Sequence, residues 1–200
     1  MRAIELEGHD RIGTALWSNS IPPKYKQFPV IGRGSTSIVL DKGDGTVLML
    51  TRDAMKKDWL VQSWGLGIGK LIDGFEAYHQ KSRAISDMPV FVIQLPRLFP
   101  LSNENKKLIK TAIEQWETVI VFYKRRSDRQ QQFNKYLTLH KNGIFARLVE
   151  FLQNYDTEQY RVDFLTRNFM QDKKGRIVIV DPIISNELLD VLKQLVRERF

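Results

Sequence analysis

Three oxygen-bearing side chains near the C-terminal end of the chain have a spacing that suits a metal site. Asn168 follows Asp163 by five positions, and Asp181 ends the apolar run Ile177–Val180. The pattern predicts a loop, a short strand from Asn168, a tight turn at DKKG and a buried strand that ends in an acid. Such a hairpin can bring two carboxylates and an amide together, and Mg²⁺ prefers oxygen ligands of this kind. An ordinary hairpin with surface acids is the alternative, because D-x-x-x-x-N is a common spacing.

A glycine-rich turn lies much earlier in the chain, between two predicted strands. Residues 30–40, VIGRGSTSIVL, predict strand, turn and strand, and DKGDG with residues 46–51 predicts a hairpin into a third strand. Gly32 and Gly34 allow close backbone approach to a phosphate and freedom at positive φ, and Ser37 is small enough to preserve that approach. The turn is not a Walker A loop, because it lacks GK followed by Ser or Thr.

These two segments, in this order, resemble the protein-kinase-like phosphotransferases. The first resembles the nucleotide-covering loop G-x-G-x-x-G-x-V, with Ser37 in place of the third glycine, and the second resembles the catalytic loop and the metal-binding aspartate. The residues that carry the resemblance are Gly32, Gly34, Val39, Asp163, Asn168 and Asp181. Asp181-Pro182 in place of Asp-Phe-Gly, together with the short chain, looks closest to the small early serine/threonine protein kinases of tailed bacteriophages.

The resemblance implies an enzyme that uses ATP and Mg²⁺ and acts on host proteins. Asp163 would orient the attacking hydroxyl, and Asn168 and Asp181 would bind the metal. The implied nucleotide contacts are Gly32, Arg33, Gly34, Ser35, Ser37 and Val39, with the backbone of Gln94 and Leu95 for the adenine. Pro96 has no N–H to offer at this hinge.

The third strand departs from the family pattern. It should carry a lysine that pairs with the nucleotide phosphates, and Met49 or Leu50 stands there instead. Arg33, Arg52 or Lys56 could supply a cation from another direction. A pseudokinase-type binding module that inhibits or redirects a host protein is therefore the alternative function.

The remaining pattern predicts an α+β, two-lobed, protein-kinase-like fold with a β-rich lobe over residues 1–95 and a helical lobe over 96–200. Asp53 is the expected N-cap of a helix over 53–67. A strand is expected at Pro89–Gln94, while the stretch 68–88 favours neither helix nor strand. Further helices are predicted at 12–17, 102–123, 130–141, 144–154 and 186–199.

Composition sets broad limits. The 200 residues are 42% hydrophobic and contain no cysteine, so a core can form but neither disulfides nor thiolate sites can. No apolar run approaches roughly 18 residues and the N-terminus is too charged for a signal peptide, so a cytoplasmic protein is expected, in the host cell if phage-encoded. The net charge of +8 favours anionic partners. The basic cluster at 124–141 is more typical of a solvated surface than of a nucleic-acid site, and the sequence does not indicate the oligomeric state.

Overall fold

A computed structural model describes residues 21–34, 36–62, 66–76, 87–122, 145–152, 154–156, 158–163 and 165–197. The helices predicted at 12–17 and 130–141 and the basic cluster at 124–141 lie outside these ranges. Among the described helices, none is both long and apolar enough to cross a lipid bilayer. The chain belongs to the α+β class, as predicted.

One antiparallel sheet of five strands dominates the N-terminal half, in the order β1-β2-β3-β5-β4. The strands are Val30–Arg33 (β1), Ser37–Asp41 (β2), Thr46–Thr51 (β3), Lys70–Phe75 (β4) and Val90–Pro96 (β5). The predicted first three strands are confirmed, as is the hairpin between β2 and β3, where Gly43 and Gly45 have φ of 81° and 82°. Strand β4 falls in the stretch that the sequence left undecided.

Five α-helices accompany the sheets in the described part of the chain: Pro23–Lys26 (α1), Ala54–Val61 (α2), Asn103–Phe122 (α3), Ala146–Leu152 (α4) and Asn186–Arg197 (α5). The Asp53 side chain caps α2 by accepting from the backbone of Met55 and Lys56, as predicted. The helix ends at Val61, short of the predicted limit. Helix α1 was not predicted, although a proline at its first position is a known start signal.

Two small sheets organise the C-terminal segment. Strands β6 (Tyr160–Val162) and β9 (Ile183–Ser185) pair with each other, as do β7 (Phe169–Gln171) and β8 (Ile177–Ile179). The predicted hairpin is confirmed as β7 and β8. The prediction of a loop before Asp163 was wrong, because residues 160–162 gain a ladder with β9, about twenty residues further along the chain.

Strand β3 is buried on both faces, and its alternation divides the core in two. Val47 and Met49 belong to a cluster with α2, α3, α4, β7 and β8, whereas Leu48 and Leu50 belong to a cluster with α5. The sheet is therefore a middle layer, and C-terminal elements pack on both of its faces, β7 and β8 on one and α5 on the other. Helix α3 does not bury every apolar side chain, since Leu108 is 52% exposed.

Candidate functional site

A cavity of about 420 Å³ lies between the glycine-rich turn and the C-terminal segment. The structure brings most of the predicted site residues to its wall: Gly32, Arg33, Gly34, Ser37, Val39, Leu95, Asp163, Asn168 and Asp181. Ser35 lies outside the described residues. Residues that lie more than a hundred positions apart in the sequence thus line one cavity, so the two sequence patterns belong to a single site.

Lys56 places its ammonium group in this cavity and contacts both sides of it. Its Nζ donates to Asp181 Oδ2 at 2.7 Å, to Thr36 Oγ1 at 2.7 Å and to Ser37 Oγ at 2.9 Å. The side chain is only 2% exposed. A lysine ammonium has three N–H donors, so these acceptors use all of them. The cavity therefore contains a buried cation, which comes from α2 and not from β3.

Local geometry explains how Lys56 reaches the turn. Lys56 lies in the first turn of α2, three residues after the N-cap Asp53. Side chains on a helix lean toward its N-terminus, so Lys56 points back toward the base of the β1–β2 turn. Ser37 Oγ donates to Thr51 Oγ1 at 3.1 Å, and Thr51 Oγ1 donates to the Thr36 carbonyl at 3.2 Å. These hydroxyl contacts hold the acceptors of Lys56 in place.

The backbone around Asp163 and Asp181 is fixed by short hydrogen bonds. Asp163 N–H donates to the Pro182 carbonyl and Val180 N–H donates to the Asn168 carbonyl, each at 2.8 Å. Asn168 Nδ2 donates to the Asp163 carbonyl at 2.7 Å and to Asp163 Oδ2 at 3.1 Å. Because both partners are acceptors, the amide nitrogen must face Asp163 and the amide oxygen faces away from it.

The charges at the base of the cavity oppose one another. Displacement of bulk water around Asp181 raises the pKa of its carboxyl group, the Lys56 ammonium works against that rise, and the carboxylates of Asp53 and Asp163 add to it. A divalent cation would lower the pKa of this carboxyl group as Lys56 does. The site thus favours an additional positive charge close to Asp181.

The donor set fits Mg²⁺ only as a site completed by a ligand. Among the described residues, no group of three or more His, Cys, Asp or Glu side chains could hold a metal ion alone. Asp163, Asn168 and Asp181 provide only oxygen ligands, and Mg²⁺ typically binds one or two protein carboxylates together with substrate phosphates and water. Asn168 and Asp181 are therefore suitable ligands for a metal that arrives with a phosphate ester.

The glycine-rich turn is closed by a hydrogen bond from Gly34 N–H to the Ser37 carbonyl at 2.8 Å. The expectation of positive φ at this turn was wrong, since neither Gly32 nor Gly34 is among the described glycines that have a positive φ. A Cβ at Gly34 would meet only the Ser37 carbonyl oxygen, at 3.8 Å. Protein packing does not require glycine here, whereas a side chain would occupy space at the cavity wall.

The predicted adenine contacts are only partly placed at the cavity. Gln94 pairs with Leu48 on β3 and Lys70 on β4 and is not among the residues that line the cavity, so the structure does not bring it to the other predicted site residues. Leu95 does line it, followed by Pro96, Arg97 and Leu98.

Backbone bonds along this linker single out one donor. The N–H of Arg97 donates to the Gly45 carbonyl at 3.0 Å, and that of Phe99 donates to the Gln171 carbonyl at 2.8 Å. Pro96 and Pro100 have no N–H to donate. Leu98 is thus the linker residue that lines the cavity and has an N–H outside these bonds. The two prolines, which lack an N–H, could be read from the sequence. The backbone partners of Arg97 and Phe99 could not.

Other residues complete the cavity. Val47, Met49 and Met170 give it an apolar wall beside Val39, and Arg167 lies next to Asn168. Met49 occupies the predicted lysine position and is 9% exposed. An apolar slot that opens onto a cation and two carboxylates can accept a flat ring that carries a phosphate chain.

Comparisons of the chain with protein-family models, with curated proteins and with solved structures give no match. No family is therefore assigned to the chain, and the geometry of the cavity is the basis for its function.

Proposed function

We propose that this chain is an ATP- and Mg²⁺-dependent phosphotransferase that acts on serine or threonine hydroxyls, as the resemblance to protein-kinase-like enzymes implies. The observation that carries the proposal is the contact of Lys56 with Asp181 at 2.7 Å, in a cavity that also contains Gly32, Gly34 and Asp163. A buried cation, oxygen ligands and a glycine-rich turn are the parts that phosphoryl transfer requires.

Each part has a role in this proposal. Val39, Leu95 and Leu98 would hold the adenine, with the Leu98 N–H as a donor. The Gly32–Gly34 backbone would hold the phosphates, and Lys56 would do so by exchanging one of its three protein acceptors for a phosphate oxygen. Asn168 and Asp181 would ligate Mg²⁺, which neutralises charge on the phosphates when bound. Positioning and charge neutralisation supply most of the catalysis in phosphoryl transfer.

In this proposal Asp163 would act on the acceptor. Its carboxylate receives a hydrogen bond from Asn168, which fixes its orientation. The acceptor oxygen would form a bond to the γ-phosphorus as the bond to ADP breaks, and Asp163 would accept the hydroxyl proton. The resemblance places a regulatory helix after the third strand, and α2 would occupy that place after β3. The division of the chain into two lobes at residues 95 and 96 is also part of this proposal.

Phage origin, a host-protein substrate and a cytoplasmic location also belong to the proposal. Their support is the resemblance of Asp181-Pro182 to the phage enzymes, together with the net charge of +8.

The test combines nucleotide binding with phosphate transfer. ATP with Mg²⁺ should raise the thermal midpoint of the wild-type protein, and labelled ATP should transfer phosphate to the chain itself or to a protein acceptor. Asp163→Ala should keep the thermal shift and lose transfer. Asp190→Ala is a matched control, since Asp190 is an exposed aspartate on α5 that contacts Lys193. Equal transfer by Asp163→Ala and wild type would exclude the assigned role.

A binding module of the pseudokinase type is the second candidate, and Met49 is the observation that favours it. The strand position expected to carry the cation is apolar, so productive alignment of the phosphates would depend on Lys56, a cation contributed from a different element, α2. A thermal shift by nucleotide without transfer to any acceptor would favour a nucleotide-binding pseudokinase. No shift at all would favour a binding module without nucleotide.

A further inference from the structure

Arg167 is a cation at the cavity that no described acidic group neutralises. It lies directly before Asn168, in the one-turn 3-10 helix Thr166–Asn168, and its side chain is exposed while lining the cavity. No ion pair within the described part of the chain involves it. Arg97, at the same cavity, differs because its guanidinium contacts Asp41 at 2.6 Å.

The position of Arg167 relative to the other charges separates it from the phosphate-binding cation. Lys56 is buried and contacts the base of the cavity at Thr36, Ser37 and Asp181. Arg167 is exposed and lies on the short segment that begins at Asp163. An acceptor hydroxyl must approach Asp163 from solvent, so it passes the segment that carries Arg167.

We propose that Arg167 selects acceptors in which the phosphorylated serine or threonine lies beside acidic residues. This inference rests on the proposed phosphotransferase function and specifies its substrate class. A guanidinium binds carboxylates through two parallel N–H donors, which gives geometric selectivity as well as charge attraction. Arg33, exposed on the wall formed by the glycine-rich turn, adds positive potential at the same mouth.

The test compares two serine peptides of equal length, one flanked by Glu and Asp and the other flanked by Arg and Lys. The wild-type protein should phosphorylate the acidic peptide with a kcat/KM about tenfold or more above that of the basic peptide. Arg167→Glu should lower the value for the acidic peptide by about tenfold or more and raise that for the basic peptide. The KM for ATP and the thermal shift with ATP and Mg²⁺ should not change.

Lys107→Glu is the matched control, because it makes the same charge change on an exposed residue of α3 outside the cavity lining. It should leave the peptide preference unaltered. Equal use of both peptides, preference for the basic one, or transfer to neither by a protein that binds ATP would overturn the inference. An equal loss on both peptides in Arg167→Glu would also overturn it, because it would place Arg167 on the nucleotide phosphates. Absence of any thermal shift with ATP would instead count against the proposed function itself.

Discussion

Replacement of Lys56 by methionine removes the cation from the cavity and retains an unbranched side chain of similar length. The ammonium makes three short contacts, at 2.7, 2.7 and 2.9 Å, and is 2% exposed. Hydrogen bonds that involve a charged group contribute about 1.5–3 kcal/mol each. Loss of one such bond to a phosphate in the transition state corresponds to roughly a 10- to 150-fold decrease in rate.

We therefore expect Lys56→Met to lower phosphate transfer by about 100-fold. The free energy of unfolding should fall by on the order of 1 kcal/mol, which is less than the loss of transition-state stabilisation. The reason is that Asp181 borders the cavity, so water can hydrate its carboxylate once the ammonium is gone. Transfer from labelled ATP measures the first effect, and urea denaturation measures the second. Circular dichroism should show an unchanged helix content.

Lys57→Met is the control for this experiment. Lys57 is the next residue of the same helix, and its ammonium contacts Asp58 at 2.7 Å and the ring of Phe91, away from the cavity. It should retain transfer within about twofold of wild type. If Lys56→Met transferred phosphate as well as Lys57→Met does, the Lys56 ammonium would not bind the phosphates and the reasoning above would be refuted.

Two further predictions concern the frame around the site. Gly69→Ala should lower the free energy of unfolding by about 1–3 kcal/mol in denaturant titrations, because its Cβ would lie 2.7 Å from Ile93 Cγ2 and 3.0 Å from the Leu60 carbonyl oxygen. Gly74→Ala, where the nearest atom is at 3.8 Å, should cost much less, and an equal loss in both would contradict this packing argument. Burial and the hydrogen bond to Asp58 raise the pKa of the Tyr155 hydroxyl above its ordinary value of 10.0. The contribution of this hydroxyl to the free energy of unfolding is therefore complete below pH 10.0 and is lost as the pH rises toward the pKa in the folded state. Tyr155→Phe should therefore destabilise the protein by about 1 kcal/mol near pH 7, and the difference from wild type should shrink at about pH 11 in urea titrations; a constant difference would exclude the linkage.

Local patterns predicted the parts of the site that depend on few residues. Asp163, Asn168 and Asp181 are placed by one hairpin and its flanks, so spacing alone indicated that they meet. The hairpin between β2 and β3 followed from turn chemistry, since Gly43 and Gly45 both adopt positive φ. The Asp53 cap likewise depends on contacts within a few residues.

Features that depend on distant contacts could not be obtained in this way. Strands β6 and β9 have three residues each, and their pairing joins residues such as Tyr160 and Ser185 that no short-range signal connects. Gln94 lies in an ordinary strand pattern, and only the tertiary structure shows that it is not among the residues that line the cavity. The sequence offered Arg33, Arg52 and Lys56 equally as substitute cations. Only tertiary structure shows that Lys56 reaches Asp181.

Placement of the cation on α2 changes what controls its position. A lysine on β3 would be held by the sheet, whereas Lys56 moves with a helix that is bound to the C-terminal segment. Trp59 Nε1 donates to the Ile179 carbonyl at 2.8 Å, two residues before Asp181.

The start of α2 is bound to that segment as well. Asp53 accepts from the N–H groups at the start of the helix through Oδ1 and from Ser185 N–H through Oδ2, the latter at 3.2 Å. Bonds on both sides of the Lys56–Asp181 contact thus hold the ammonium group close to the connection between β8 and β9, which contains Asp181. A displacement of α2 would separate Lys56 from Asp181 and break the Trp59 bond at the same time, so the position of this helix determines whether the Lys56 ammonium lies at the base of the cavity.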